Sequence, residues 1–165
     1  MDTVIGLGAN QGDRAGTLRR AAREVAKLGA LTAASSLYET APIGPPQPDF
    51  LNAAIRLATS LEPERLLSAL LDIERTLGRV RRERWGPRVI DLDVLWAEVG
   101  AYRAPGLELP HPRLTERAFA LVPLLEVGPE LTEPRSGARY AELAARLPVA
   151  GLRRVVGTEA GAWMA

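Results

Sequence analysis

The sequence predicts an α+β domain whose elements follow in the order β-α-β-β-α-β. Three observations predict it. Residues 3–9, 50–59 and 89–96 alternate in period two, as strands with one buried face do. Residues 15–28 and 60–77 carry apolar side chains at helical spacing. Residues 30–38 form a further apolar stretch between the first helix and a proline-rich segment.

In the first strand Ile5 and Leu7 share one face, and Val4, Gly6 and Gly8 the other. Gly12 and Asp13 turn the chain into the first helix. Its stripe is Leu18, Ala21, Ala22, Val25 and Leu28, and Gly29 ends it. Residues 30–38 read as the second strand. Residues 40–48 hold too many prolines for helix or central strand and read as an ordered loop or edge segment. In the third strand Leu51, Ala53, Ile55 and Leu57 alternate with Phe50, Asn52, Ala54 and Arg56. Pro63 near its start and the stripe Leu66, Leu67, Leu70, Ile73 and Leu77 define the second helix, which Gly78 closes.

Residues 89–96 complete the ferredoxin-like order. In that layout helices cover one face of an antiparallel sheet, and the other face is open for a ligand or further chain. After Trp96 we expect a short strand at 107–109, helices at 116–126 and 140–147, an apolar piece at 152–156, and a frayed tail from residue 157.

Composition narrows the function. A chain of 165 residues is expected to be one domain, 1–165. Net charge is +1, which argues against whole-molecule attraction to nucleic acid or membrane. With no cysteine and one histidine, thiolate sites, disulfides and multi-histidine metal sites are excluded. The start, MDTVIGLGAN, has no signal-peptide character and no segment suits a bilayer, so a cytoplasmic location is expected.

The chemistry concentrates in residues 78–96. A basic loop carries Arg79, Arg81, Arg82, Arg84 and Arg88 around Trp85 and a Gly86-Pro87 break. The strand that follows puts Ile90, Leu92 and Val94 on one face and Asp91 and Asp93 on the other. Two carboxylates so spaced have Cα atoms about 7 Å apart. They suit Mg²⁺, which takes one or two carboxylates plus substrate phosphates, and arginines suit a polyphosphate. The alternative is a solvated polar face beside a wet loop, with Trp85 in the core. Gly6 and Gly8 either keep the sheet surface low for a flat ligand, with Asn10 at its rim, or make a tight turn. GLGANQG lacks the third glycine of a dinucleotide fingerprint, since Gln11 stands there. Asn52, mid-strand, needs partners for a buried amide. His111 is either a buried hydrogen-bonding residue or a phosphate contact.

These residues carry a resemblance. G-L-G-A-N, Y-E-T-A-P-I-G-P, P-D-F-L-N-A-A, G-R-V-R-R-E-R-W-G-P-R-V-I-D-L-D-V-L and L-P-H-P-R-L-T-E-R-A-F-A-L-V-P-L resemble the 6-hydroxymethyl-7,8-dihydropterin pyrophosphokinases over nearly the whole chain. The resemblance implies transfer of pyrophosphate from ATP to the pterin hydroxymethyl group, releasing AMP, in folate biosynthesis. It implies that Asp91 and Asp93 hold two Mg²⁺ ions and, with Arg79 and Arg88, are catalytic. Arg79, Arg81, Arg84 and Arg88 match lid and phosphate-contacting positions, and Trp85 closes over both ligands. His111 and Arg117 match ATP contacts. The resemblance further implies that Asn52 recognises the pterin edge, together with Asp91, that Phe50 and Phe119 sandwich its ring, and that Thr40, Pro42 and Ile43 line its pocket, with Gly8 and Asn10 also beside it. Against enterobacterial members of the family the arginine loop is one residue shorter. Glu108 and Pro112 replace a hydroxyl residue and a tyrosine, and Gly106 replaces an arginine for which Arg103 is the substitute at hand.

A rival from another class is an RNA-binding module, because Phe50 and basic loops decorate a ferredoxin-like sheet. The acidic pair and the near-neutral charge count against it. The expected partners are therefore ATP and the pterin, not nucleic acid or membrane. With no extended apolar helix surface asking for a partner, the expected state is a monomer.

Overall fold

The computed structural model describes residues 1–78 and 89–165. Arg79, Arg81, Arg82, Arg84, Trp85 and Arg88, the arginine-loop residues singled out above, lie outside the described residues. The first strand, β1 (Asp2–Ala9), is central. It pairs antiparallel with β5 (Asp91–Ala97) on one side and β4 (Phe50–Ala58) on the other. The far side of β4 takes β2 (Ala30–Ala34) and then β3 (Tyr38–Thr40), and β8 (Arg153–Arg154) closes the outer edge of β3.

Residues 30–38, read as one strand, are two. From Ala34↔Ile55 to Tyr38↔Asn52 the outer chain advances four residues while β4 advances three. Ser35 absorbs the mismatch. Its N–H donates to the Ala54 carbonyl at 2.9 Å, and its Oγ accepts the Ala54 N–H at 2.9 Å. A hydroxyl there takes the place of a ladder carbonyl, and the strand breaks without losing its backbone partners.

The helices α1 (Arg14–Val25) and α2 (Pro63–Thr76) cover one face, as their stripes require. Leu18, Ala21, Val25, Leu66, Leu70 and Ile73 pack against Ile5, Leu7, Ile55, Leu57, Leu92 and Val94. Asp13 caps α1 by accepting the Gly16 N–H at 3.0 Å. A 3-10 turn, Ala26–Leu28, follows, and then Gly29. Gly29 is extended, so its role is space: a Cβ there would lie 2.1 Å from the Ala58 carbonyl.

The open face is open only at one end. At the other, α3 (Ala118–Val127) and α4 (Tyr140–Ala144) build a second core. Val4, Ala54 and Leu95 meet Leu121, Leu124, Val127 and Tyr140 there. The strict alternation of β5 ends with a bulge. Val4 opposes Trp96 and Ile5 opposes Val94, so Leu95 is extra and turns onto the second core. Glu126 ties α3 to the break between β2 and β3, accepting from the Ser36 N–H at 2.8 Å and from the Tyr38 hydroxyl.

The tail is not frayed. Residues 159–164 form a 3-10 segment in which Trp163 is 6% exposed. Its indole Nε1 donates to the Ser35 carbonyl at 2.7 Å. The short hairpin of β6 (Tyr102–Ala104) and β7 (Leu107–Leu109) leads to the segment that carries His111.

Candidate active site

The uncovered end of the sheet is a cavity of about 790 Å³, within the size range of ligand pockets. Strand register builds its floor. Gly8 opposes Asp91 on one side and Asn52 on the other, and Gly6 opposes Asp93 and Ala54. Asp91, Gly8 and Asn52 therefore form one row across three strands, with carboxylate and amide about 10 Å apart at the backbone. Asp93 stands one pleat repeat along from Asp91, on the same face.

The two glycines serve different neighbours. A Cβ on Gly8 would stand 3.2 Å from Asn52 Oδ1, so Gly8 leaves room for the amide. One on Gly6 would meet Leu95 Cδ1 at 3.1 Å, so Gly6 makes room for the bulged leucine. Asn52 is 6% exposed, and its Nδ2 donates to Thr40 Oγ1 at 3.0 Å. That bond fixes which way the amide faces and leaves Oδ1 toward the floor.

Thr40, Ile43, Phe50, Asn52, His111, Arg117 and Phe119 line the cavity together with Asp91 and Asp93. The His111 N–H donates to the Leu95 carbonyl at 2.9 Å, and its Nδ1 accepts the Arg113 N–H at 3.2 Å. Burial, and then the Arg117 charge, hold His111 below its ordinary pKa, with Asp91 opposing. The ring is then neutral at pH 7, and its proton sits on Nε2, a donor. Arg117 is also pressed below its ordinary range, by burial first and Arg113 second, while Asp93 and Asp91 act to keep it charged. Its guanidinium carbon lies 5.5 Å from the centre of the Phe119 ring. A polyanion entering here would relieve both costs.

Two expected residues do not line the cavity. Asn10 is buried, and its Nδ2 donates to Gln47 Oε1 at 2.8 Å and the Pro48 carbonyl at 3.0 Å. It holds the loop of residues 41–49 from behind. Pro42 belongs to that loop but is not in the wall, which takes Ala41 and Ile43 instead. Conversely, α2 contributes Leu67, Leu71 and Glu74, which sequence reasoning passed over. Glu74 is 3% exposed and accepts the Leu92 N–H at 2.9 Å, between the two aspartates. The signal was available: Glu74 lies four residues beyond Leu70, on the apolar stripe, where a carboxylate must have partners.

Among the described residues no group of three or more His, Asp or Glu side chains could hold a metal unaided. Asp91 and Asp93 supply hard oxygen donors beside a side-chain-free floor, which fits Mg²⁺ completed by substrate phosphates.

Comparison with known proteins identifies the family and the fold. The profile of the family described as 7,8-dihydro-6-hydroxymethylpterin-pyrophosphokinase (HPPK) matches residues 4–129. The 2-amino-4-hydroxy-6-hydroxymethyldihydropteridine pyrophosphokinase of Methylorubrum extorquens is 45% identical over 154 residues, covering 92% of this chain and 96% of that one. The protein of the same name from Synechocystis is 41% identical over 142 residues, 85% of this chain and 73% of its own. The crystal structure of wild-type Plasmodium falciparum HPPK-DHPS with SDX-DHP superposes with a TM-score of 0.69 at 15% identity. It covers 93% of this chain, which spans 47% of that one, and bears on the fold alone.

Proposed function

Because the chain belongs to the 7,8-dihydro-6-hydroxymethylpterin-pyrophosphokinase family, we propose that its cavity holds ATP and 6-hydroxymethyl-7,8-dihydropterin side by side, with Asp91 and Asp93 between them. It is a diphosphokinase of folate biosynthesis: it transfers a pyrophosphoryl group to the pterin. The observation that carries the assignment of ends is the row Asp91–Gly8–Asn52. One end of that row offers an amide suited to a heteroaromatic edge, and the other offers carboxylates suited to cations on phosphate.

At the pterin end, Asn52 held by Thr40 reads the ring's donor and acceptor edge, while Phe50 and Phe119 sandwich its faces. Ile43 caps the pocket from its loop; at 57% exposure it is the apolar surface a ring would cover. At the nucleotide end, neutral His111 donates through Nε2, and Arg117 neutralises phosphate charge. Arg79, Arg81, Arg84, Trp85 and Arg88, outside the described residues, would by the family resemblance add contacts to the phosphates. Asp91 and Asp93 would hold two Mg²⁺ ions on the triphosphate. When bound, these supply charge neutralisation at the transferring phosphates and order them for in-line attack.

The reaction breaks the bond from the α,β-bridging oxygen to the β-phosphorus and forms one from the hydroxymethyl oxygen to that phosphorus. AMP leaves, and the hydroxyl proton goes to solvent or a nearby carboxylate. Positioning and fixed charge carry such a transfer, with no covalent intermediate on the protein.

We further take the chain to be a single catalytic domain that works as a monomer in the cytoplasm. Among the described residues no helix is long and apolar enough to cross a membrane. Sedimentation at micromolar concentration tests the monomer. The deciding assay is incubation with ATP, Mg²⁺ and the hydroxymethyl pterin. AMP and the pterin diphosphate are expected, and ADP with a pterin monophosphate would overturn the reading.

A further inference from the structure

The loop of residues 41–49 supplies Ala41 and Ile43 to the cavity, yet its sequence is too rich in glycine and proline to hold itself by regular structure. Its two ends are held from the opposite side of the sheet. Arg14, the first residue of α1, donates from Nη2 to Glu39 Oε1 at 2.7 Å and from Nη1 to the Asp49 carbonyl at 3.0 Å. Glu39 is the last residue but one of β3, and Asp49 immediately precedes β4. One guanidinium thus spans both feet of the loop. Arg153 of β8 reinforces it, donating to Glu39 Oε2 at 3.1 Å and lying 4.0 Å from Asp49 Oδ2.

Strand alternation carries this contact to the ligand face. Glu39 opposes Leu51, whose side chain belongs to the core under α1 and α2, and Thr40 opposes Phe50 on the cavity side. Fixing Glu39 behind the sheet fixes Thr40 in front of it, and Thr40 Oγ1 orients the Asn52 amide. A planar fork with separate donors suits this bridge between a carboxylate and a carbonyl, and an ammonium makes it less well. Asn10, four residues before Arg14, holds Gln47 and Pro48 of the same loop. The turn between β1 and α1 is therefore hydrogen-bonded to the loop. Gly12 in that turn sits at φ +62°, which sets the direction in which Arg14 leaves.

We propose that Arg14 is a positioning residue for the pterin subsite: by clamping the feet of the 41–49 loop it keeps Thr40 and Ile43 in their binding arrangement. The proposal rests on the pterin end being where the preceding section puts it. Loosening the clamp lowers the fraction of molecules whose loop is competent, and apparent affinity falls by that fraction. A drop to about one fifth raises the pterin KM about fivefold, leaving kcat and the KM for ATP within about twofold.

The test compares R14Q, R14K, E39Q and N52A in steady-state kinetics with each substrate varied in turn. R14Q and E39Q should raise the pterin KM alone, and R14K should recover part of the loss. Should R14Q fail to fold, E39Q and R14K make the same comparison. An unchanged pterin KM in R14Q and E39Q, with a raised one in N52A, overturns the clamp while leaving the subsite standing. An unchanged pterin KM in N52A itself moves the subsite and removes the premise. Equal rises in both KM values would reduce Arg14 to a general structural role and refute the proposal.

Discussion

Trp163 tests whether the C-terminal segment is part of the fold. The side chain is 6% exposed, packs with the core between sheet and α1, and donates its indole N–H to the Ser35 carbonyl. Arg19 of α1 returns a bond to the Trp163 carbonyl at 2.9 Å. Burial of an indole and the cavity left by its removal together cost about 3–5 kcal/mol in a Trp→Ala change. Trp163→Phe keeps most of the apolar area but loses the donor to Ser35, which costs about 1–2 kcal/mol. In a chain of this size each kcal/mol moves the midpoint by about 2–4 °C. Trp163→Ala should therefore melt roughly 10 °C below the parent, and Trp163→Phe about 3–6 °C below it. Urea unfolding monitored by circular dichroism gives the same ordering at unchanged m-value. A loss under about 1 kcal/mol in Trp163→Ala would mean that the tail contributes nothing and that its docking has been misread.

Asp91→Ala and Asp93→Ala should each lower turnover by about a thousandfold or more, since on the proposed reading each removes a charge that would hold metal at the reacting phosphates. Far-ultraviolet dichroism should stay unchanged, and AMP release is the readout; full activity in either variant would end the metal assignment. His111 gives a pH dependence. Its folded pKa lies below the ordinary 6.5, so the folded state binds fewer protons there than the unfolded chain. Its contribution is complete above about pH 6.5 and is lost as pH falls through that value toward the lower folded one. His111→Gln should flatten this part of the stability profile, as measured by urea titrations of the protein without ligands; an identical slope would show that the ring is not held neutral.

Much of this was legible in the sequence because the informative signals are local. Period-two alternation put Asn52, Asp91 and Asp93 on non-core faces, and antiparallel pairing then aligned them with Gly8 and Gly6. The misses have a common cause: they depend on contacts distant in sequence. Ser35 splits a strand only because its hydroxyl can serve Ala54, and nothing in residues 30–38 announces that. Leu95 leaves the alternation because a second core, contributed by α3 and α4, awaits it. The tail docks through a carbonyl that lies 128 positions earlier. Asn10 looked like a rim residue from its neighbours, yet its amide answers to Gln47 and Pro48. Glu74 could have been found, since a carboxylate on an apolar stripe signals a built environment. Arg14 could not, because on a helical wheel it is one more residue on a wet face.

The closing of β3 by β8 has a consequence for biosynthesis. Glu39, at the foot of the substrate loop, receives one arginine from α1 and another from residue 153. A nascent chain can pair β1 with β4 and bury α1 once about a third of it has been made. The outer edge of β3 must then wait for the last elements to leave the ribosome, an interval of about 5–20 s for the hundred or so remaining residues at ordinary rates of synthesis. Throughout that interval the strand carrying Thr40 presents an unpaired edge. The contacts of Arg153 with Glu39 and Asp49 are thus the last of this network to be synthesised, and chains truncated before residue 153 lack both them and the strand that pairs the outer edge of β3.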